Sequence, residues 1–261
     1  MPKLSPPRMP RLIMTCLGML ALASWATSGM AAELRVGVAE SDAPPIVVLN
    51  ASRQLAPSLS YDLGQALAAE LGVRAQFRLL SRNRVEPSVE RSEVDIICNA
   101  NPAWFGNAAR LGWTRDVYPQ VERVVTSSTL PRQIAANLDM AGLRVGVIRG
   151  YHYPELEKLW QDGRATRVDH QRLDSVLKAL ALGAVDAAIS SELELAGWAR
   201  DNAAAAQRIR MQPWVVSTRP TYCAVAPKAR HSLARLDRAI ANLERKGEIL
   251  RILQRYQWRP S

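Results

Sequence analysis

Five residues, Leu34-Arg35-Val36-Gly37-Val38, recur unchanged as Leu143-Arg144-Val145-Gly146-Val147. Each copy is a short apolar run rich in β-branched residues, which predicts a buried parallel strand rather than a helix. A second strand candidate follows downstream of each copy, at residues 94–97 and 185–189, and a helix candidate precedes each of these. The chain thus contains two similar α/β units in succession. This organisation predicts two lobes with something held between them.

The first 32 residues have the features of a secretory signal peptide. Three basic residues precede an apolar, uncharged run over residues 12–26. Small residues then lead to Met30-Ala31-Ala32, which predicts cleavage near Ala32 and export to the periplasm. An uncleaved membrane anchor is the alternative interpretation, because the run up to Ala32 carries no charge.

The rest of the chain, residues 33–261, has a length that suits one large domain or two lobes of ordinary size. The whole chain carries 34 Lys and Arg against 24 Asp and Glu, a formal net charge of +10. The basic residues are scattered without a run, which argues against nucleic acid as a partner, since such sites need clustered Lys and Arg with interleaved aromatics. A dispersed excess of basic residues is typical of a solvated protein surface. Binding of acidic solutes or of an anionic membrane surface is a weaker interpretation.

Two cysteines follow the predicted leader, Cys98 and Cys223. In an oxidising compartment an even pair is compatible with a disulfide. Both lie in predicted strands, where a buried free thiol is an equally good interpretation. The residues alone leave both open.

Apolar periodicity predicts helices at residues 61–71, 153–160 and 173–182, and two more after residue 232. A short helix is expected to contain Pro87 near its start, where the missing N–H costs nothing. Two long extended segments are predicted at residues 120–126 and 213–226. The remaining strand predictions are 74–80, 94–98, 165–168 and 185–189.

Four motifs occur in order along the mature chain. They are LSYDL with LG in residues 59–72, VEPSV through SEVD in residues 85–95, LDMAG in residues 138–142, and LALGAVDAA in residues 180–188. These resemble the patterns GFDVDL…LG, LIPALxSGKVD, DLKGK-VGV and aLxxGrvDAv. The chain is therefore similar to the bacterial extracellular solute-binding proteins of family 3, the amino-acid-type periplasmic receptors of ABC importers.

The resemblance implies a periplasmic-binding-protein-like (type II) α/β fold. Each of its two lobes would be a mostly parallel sheet flanked by helices, and two extended crossovers would join them. The first lobe would comprise residues 33–126 and 218–261, and the second residues 127–217. The strand around Cys223 would lie beside the strand ending at Cys98, which favours the disulfide. The implied partners are a small-molecule ligand and an inner-membrane ABC permease, and the implied state is a monomer.

Ligands of open parallel sheets bind outside the carboxyl ends of the strands. Polar loops follow the predicted strands at residues 40–42, 99–101, 149–152 and 190–192, although each loop alone is equally compatible with a solvated turn. Arg149 is the predicted anion-binding residue. The full set of predicted ligand-binding residues is Asp42, Asn99, Asn101, Trp104, Arg149, Tyr151 and Ser191.

The amino-acid clamp implied by the resemblance is incomplete in this chain. The family's T-P-E-R arginine falls in a region that reads NPAWFG at residues 101–106, and Arg110 is a weak counterpart. The aspartate expected five residues after Asp186 is Ser191, and the threonine of the family's G-T is Tyr151. These departures argue against a standard α-amino acid and predict a small polar or anionic solute.

Two other functions fit the same fold. A periplasmic dehydratase of a prephenate-like acid would need an acid–base group in the cleft, for which Glu192, Asp42 or His152 are candidates. An exported sensor would differ in having no transporter partner. The sequence displays no catalytic triad, phosphate loop or metal-ligand spacing, so no cofactor or metal is predicted. A binding protein rather than an enzyme is favoured.

Overall fold

The structure is a computed structural model that describes residues 1–2 and 32–256 of the 261-residue chain. The predicted signal peptide lies almost entirely outside the described residues and stays a prediction. Within the described ranges, no helix combines the length and apolar character needed to cross a bilayer.

The strands of the described chain form a nine-stranded sheet. They are β1 (Glu33–Ala39), β2 (Arg74–Leu80), β3 (Ile96–Ala100), β4 (Gly112–Trp113), β5 (Tyr118–Ser127), β6 (Arg144–Ile148), β7 (Thr166–His170), β8 (Ala187–Ser191) and β9 (Ile209–Val225). The lateral order is β2-β1-β3-β9-β5-β8-β6-β7, and β4 pairs with β9.

The two repeated stretches form β1 and β6, each the middle strand of a parallel trio. β1 lies parallel to β2 and β3, and β6 lies parallel to β7 and β8. The glycines of the two copies, Gly37 and Gly146, are closely packed at equivalent positions. A Cβ on Gly37 would lie 3.1 Å from Val94 Cγ2, and a Cβ on Gly146 would lie 3.1 Å from Val185 Cγ2. The sequence repeat is therefore a structural repeat.

Two long antiparallel strands connect the two trios. β5 and β9 pair with each other, from Tyr118 opposite Thr221 to Ser127 opposite Ile209. β9 also pairs with β3, and β5 also pairs with β8. These are the two predicted crossovers, with β9 starting four residues earlier than expected, and the two-lobed α/β fold is confirmed. The predicted lobe boundaries fall inside β5 and β9 and remain predictions.

Helices cover the faces of the sheet. They are α1 (Leu59–Leu71), α2 (Arg82–Glu90), α3 (Glu157–Gln161), α4 (Leu173–Ala181), α5 (Glu192–Asp201), α6 (Ala203–Ala206), α7 (Leu233–Arg245) and α8 (Glu248–Arg255). α1 ends at Leu71 because Gly72 takes a left-handed φ of 70°, a conformation that glycine adopts without steric cost.

Several predicted element bounds were wrong. Pro87 lies in the interior of α2 rather than near its start, because the helix begins at Arg82 and buries Val85 and Val89 on one face. α3 begins only at Glu157. β3 begins at Ile96, two residues later than predicted, because the side chain of Asp95 accepts the N–H of Arg35 at 2.8 Å and the regular ladder starts after it.

A disulfide joins Cys98 in β3 to Cys223 in β9, which confirms the predicted pairing. The two strands are antiparallel neighbours, with Ile97 opposite Ala224. The bond connects positions 125 residues apart and fastens the returning chain to the first trio of strands.

Candidate functional site

A cavity lies between the lobes, at the carboxyl ends of β1, β3 and β6. Its volume is about 40 Å³, which leaves room for a few water molecules in this form. Its lining residues come from both lobes and from the crossover β5. They are Ala39, Asp42, Arg82, Val85, Ile97, Cys98, Asn99, Ala100, Trp104, Phe105, Gln120, Glu122, Tyr151, His152 and Glu194.

Asp42 is the centre of a hydrogen-bond network at one wall of the cavity. Its carboxylate accepts the hydroxyl of Tyr151 at 2.5 Å and the side-chain amide of Asn99 at 3.0 Å. Asn99 in turn accepts the hydroxyl of Tyr118 at 2.6 Å, and it takes a positive φ of 54° that asparagine tolerates better than most residues. Burial raises the pKa of Asp42, and these hydrogen bonds together with the charge of Arg82 oppose that rise.

Glu194 reaches the cavity from the first turn of α5. Ser191 is the N-cap of this helix: its Oγ accepts the N–H of Glu194 at 3.2 Å and donates to Glu194 Oε2 at 2.8 Å. The other carboxyl oxygen accepts the N–H of Ala43 from across the cleft at 2.8 Å. Burial, together with the negative charge of Asp42, raises the pKa of Glu194 to about 8.

The close approach that permits this contact depends on Gly197. A Cβ at this position would lie 2.4 Å from the carbonyl oxygen of Pro44, far inside contact distance. α5 can therefore pack directly onto the loop that contains Asp42 and Ala43.

The crossover β5 contributes two polar side chains to the floor. Gln120 and Glu122 are two positions apart and therefore point to the same face of the strand. Glu122 accepts the hydroxyl of Ser217 at 2.7 Å, and burial raises its pKa. The side-chain oxygen of Gln120 is buried and has no hydrogen-bond partner within residues 1–2 and 32–256. It is thus an acceptor available inside the cavity.

Arg82 closes the cavity from α2. Its Nε donates to the carbonyl of Gly150 and its Nη2 to the carbonyl of Trp104, both at 3.2 Å. The guanidinium also lies 4.7 Å from the centre of the Tyr151 ring, a cation–π distance. Since Gly150 follows β6, this side chain bridges the two lobes.

The sequence matches the family model of bacterial extracellular solute-binding proteins, family 3, over residues 34–258. The chain belongs to this family. No match was found among the curated proteins.

Solved structures with this fold come from proteins with different functions. One is a substrate-binding protein of an amino acid ABC transporter from Streptococcus pneumoniae, bound to L-arginine: 18% identity, TM-score 0.70, covering 86% of this chain and 94% of that one. Another is an ancestral amino acid-binding protein, a precursor of cyclohexadienyl dehydratase: 16% identity, TM-score 0.70, covering 86% and 94%. A histidine kinase sensor domain gives 20% identity and a TM-score of 0.73, covering 86% and 95%. At these identities the likeness establishes the fold alone.

Within this family 3 protein, the structure brings four of the predicted ligand-binding residues together. Asp42, Asn99, Trp104 and Tyr151 all line the cavity. Their place at the carboxyl ends of the strands is the one expected for an open parallel sheet.

The other three predicted residues lie elsewhere. Both polar atoms of Asn101 bond to backbone, with Nδ2 donating to Pro220 and Oδ1 accepting from Ala103, each at 2.8 Å. Ser191 is 2% exposed and contributes through Glu194, which it holds in place. Arg149 is exposed and lines a surface depression with Arg53 and Arg172, which borders the cavity at Arg82.

Four lining residues were missed by the sequence analysis: Arg82, Gln120, Glu122 and Glu194. Glu194 lies three residues after Ser191, and this spacing is that of a helix capping box. The sequence therefore predicts that Glu194 caps a helix, not that it contacts a ligand. The signal for Gln120 and Glu122 was the alternation of polar residues along a strand that crosses between lobes. We found no sequence signal for Arg82.

Proposed function

We propose that this chain is a periplasmic receptor that captures a small polar solute between its lobes, as a monomer, and delivers it to an ABC-type permease of the inner membrane. The observation that carries the proposal is a cavity whose walls come from both lobes and are connected by polar contacts across the cleft. Tyr151 donates to Asp42, and Arg82 donates to Gly150. The backbone of Ala43 donates to Glu194.

These cross-cleft contacts support a binding cycle with an open and a closed form. Each contact joins groups from the two sides of the cleft, so opening breaks it and exposes its polar atoms to water. A solute that touches both walls adds interactions available only in the closed form. It therefore shifts the population toward closure by the difference in its affinity for the two forms.

Solute capture is tested directly on protein purified from the periplasm. Native mass spectrometry should detect a bound small molecule that is lost after unfolding and dialysis. When a solute from a library restores binding, small-angle scattering should give a smaller radius of gyration. Tyr151→Phe, which removes the hydroxyl that contacts Asp42, should weaken binding. Tyr256→Phe, remote from the cavity, is the control. A protein that neither retains nor regains any solute would contradict the proposal.

Delivery to a permease requires its own experiment. We expect the solute-loaded protein to retain an ABC permease from detergent-solubilised inner membranes more strongly than the dialysed protein does. The relatives include both a transporter component and a histidine kinase sensor domain. Recovery of a sensor kinase in place of a permease would favour the sensor function.

A dehydratase is the second candidate, and the pair of Asp42 and Glu194 favours it. Burial raises the pKa of both carboxyl groups, that of Glu194 to about 8, and an acid group that keeps its proton near neutral pH is what a dehydratase needs. Glu192, an earlier candidate, lies outside the cavity and pairs with Arg123 at 2.6 Å. Incubation with prephenate distinguishes the two functions. Prephenate that stays chemically unchanged supports the receptor, whereas turnover that is abolished by Glu194→Gln supports the enzyme.

A further inference from the structure

We propose that the solute is an organic cation, an amine or guanidinium compound that needs no α-carboxylate. Its charged end would lie among the carboxyl groups of Asp42, Glu122 and Glu194. This inference rests on the proposed receptor function and names the ligand class of the same cavity. It reverses the expectation of an anionic solute.

The charge balance of the cavity is the first argument. Three of the lining residues are carboxylic acids. The basic side chains among the described lining residues are those of Arg82 and His152. The three acids are electrostatically coupled, because the charges of Asp42 and Glu122 both act on Glu194. In a closed, water-poor site, carboxylates so close together are costly without a compensating positive charge. A bound cation supplies that charge.

The hydrogen-bonding state of Arg82 is the second argument. An arginine that clamps an anion presents two parallel N–H groups to it. Here Nε and Nη2 already donate to the carbonyls of Gly150 and Trp104, and Nη2 also lies 3.7 Å from Glu86. The guanidinium face rests on Tyr151. Arg82 is therefore used to join the lobes.

The remaining polar groups of the cavity are the third argument. The buried oxygen of Gln120 accepts no hydrogen bond from the described chain, so it is suited to a ligand N–H. The side-chain amide of Asn99 donates one hydrogen bond to Asp42 and accepts one from Tyr118. Aromatic side chains of Trp104 and Tyr151 complete the lining, and such rings are favourable neighbours for a cation.

Arg149, the residue predicted to bind an anion, does not alter this balance. It is exposed and lies in a surface depression with Arg53 and Arg172. Among the described lining residues this depression shares only Arg82 with the cavity, and Arg149 does not line the cavity.

The experiment is isothermal titration calorimetry of the dialysed full-length mature protein at pH 7.5. The probes are agmatine and cadaverine as cations without a carboxylate, arginine as a cationic amino acid, alanine as a zwitterion and glutarate as an anion. We expect agmatine or cadaverine to bind at least tenfold more tightly than alanine and glutarate. Tighter binding of glutarate or alanine would overturn the cation proposal and leave the receptor function intact.

Matched variants test which residues are responsible. Glu194→Gln and Glu122→Gln preserve shape and remove charge, so each should weaken cation binding at least tenfold. Glu192→Gln, two residues away on α5 but outside the cavity, should leave it unchanged. Circular dichroism establishes that each variant folds, and Asp42→Asn replaces any variant that does not. Equal affinity in all variants would overturn the proposal.

The absence of binding to every probe would also overturn the cation proposal. Native mass spectrometry of the freshly purified protein then separates the two failures. A co-purifying solute without a positive charge leaves the receptor function standing, whereas no solute at all contradicts that function as well.

Discussion

The two copies of the repeated strand contain the same ion pair in different surroundings. Arg35 bonds to Asp95 through its backbone N–H, Nε and Nη2, at 2.8, 3.1 and 2.6 Å. Arg144 bonds to Asp186 through the same three groups, at 2.8, 3.0 and 2.8 Å. The side chain of Asp95 is 0% exposed, whereas that of Asp186 is 29% exposed. The same local geometry is thus placed once in the interior and once at the surface.

The difference comes from the returning chain. After β9, the N–H of Arg230 donates to Asp95 at 3.0 Å and covers it. Burial acts to raise the pKa of Asp95, but the hydrogen bonds from Arg35 and Arg230 outweigh it and the pKa lies below its ordinary value. For Asp186, the hydrogen bonds from Arg144 are the main cause of a lowered pKa. The comparison indicates that the same Arg–Asp pair contributes differently to stability depending on which residues cover it.

The covalent link of the first lobe should have the largest effect on stability. All three cysteines of the chain lie outside residues 127–217, so the second lobe has no counterpart to the Cys98–Cys223 bond. Closing a loop of this length is worth about 4–5 kcal/mol in the chain-entropy model. We expect the double variant Cys98→Ser, Cys223→Ser to lose stability of that order in urea unfolding. A loss under about 1 kcal/mol would show that strand pairing alone fastens β9.

The two ion pairs give the next largest contrast. Asp95→Asn leaves Arg35 without its buried partner and should cost about 3–5 kcal/mol. Asp186→Asn breaks an exposed pair and should cost about 0–1 kcal/mol. Chemical denaturation of both variants beside the wild type measures the difference. Equal losses would mean that the environment of the pair does not control its contribution.

The packing of α5 on the first-lobe loop should have a smaller effect. Gly197→Ala places a methyl group inside contact distance of the Pro44 carbonyl and should cost about 1–3 kcal/mol. It should also weaken solute binding, since Glu194 moves with the helix. Gly106→Ala is the control, because a Cβ there would lie 3.6 Å from Glu86, an ordinary contact. Unchanged stability and binding in Gly197→Ala would show that α5 can move without loss.

The parts of the fold that repeat were the parts that sequence could predict. β1, β6 and the strands beside them have short apolar patterns that identify them, and the two crossovers contain β-branched residues that favour an extended chain. The bounds of β3 were shifted because Asp95 replaces a backbone acceptor with its side chain. This hydrogen bond depends on Arg35, which lies sixty positions away in the sequence. The local residue pattern around Asp95 therefore cannot predict it.

The candidate site was predictable at its strand ends and not across the cleft. Asn99 lies near the end of β3, and Asp42 and Tyr151 lie three residues beyond the ends of β1 and β6, so the topology rule found them. Glu194 and Arg82 reach the cavity only because helices α5 and α2 approach it from opposite lobes. The charge of the cavity is a sum over both lobes. Arg149, predicted from its place beside Tyr151, is exposed and does not contribute to the lining.

The pH dependence of stability should be a small effect for each pH unit near neutrality. The pKa of Glu194 is raised from 4.5 to about 8, so the folded protein binds a proton that the unfolded chain releases between these values. Stability therefore falls as pH rises from about 4.5 to 8, by at most about 1.4 kcal/mol per pH unit for one proton. Asp42 and Glu122, whose pKa values are also raised by burial, act in the same direction. The charge of Arg82 opposes the rise for Asp42, and that of Arg219 opposes it for Glu122.

Urea unfolding at pH 5.5, 6.5 and 7.5 measures this slope. In Glu194→Gln it should be shallower than in the wild type, because one of the three buried acids no longer titrates. Asp186→Asn is a suitable control, since the pKa of Asp186 is lowered and its stabilising effect is lost only at pH values below this window. A wild-type protein that becomes more stable from pH 5.5 to 7.5 would mean that Glu194 is ionised in the folded state. The cavity would then have its full negative charge at neutral pH, and a cation would bind without displacing a proton.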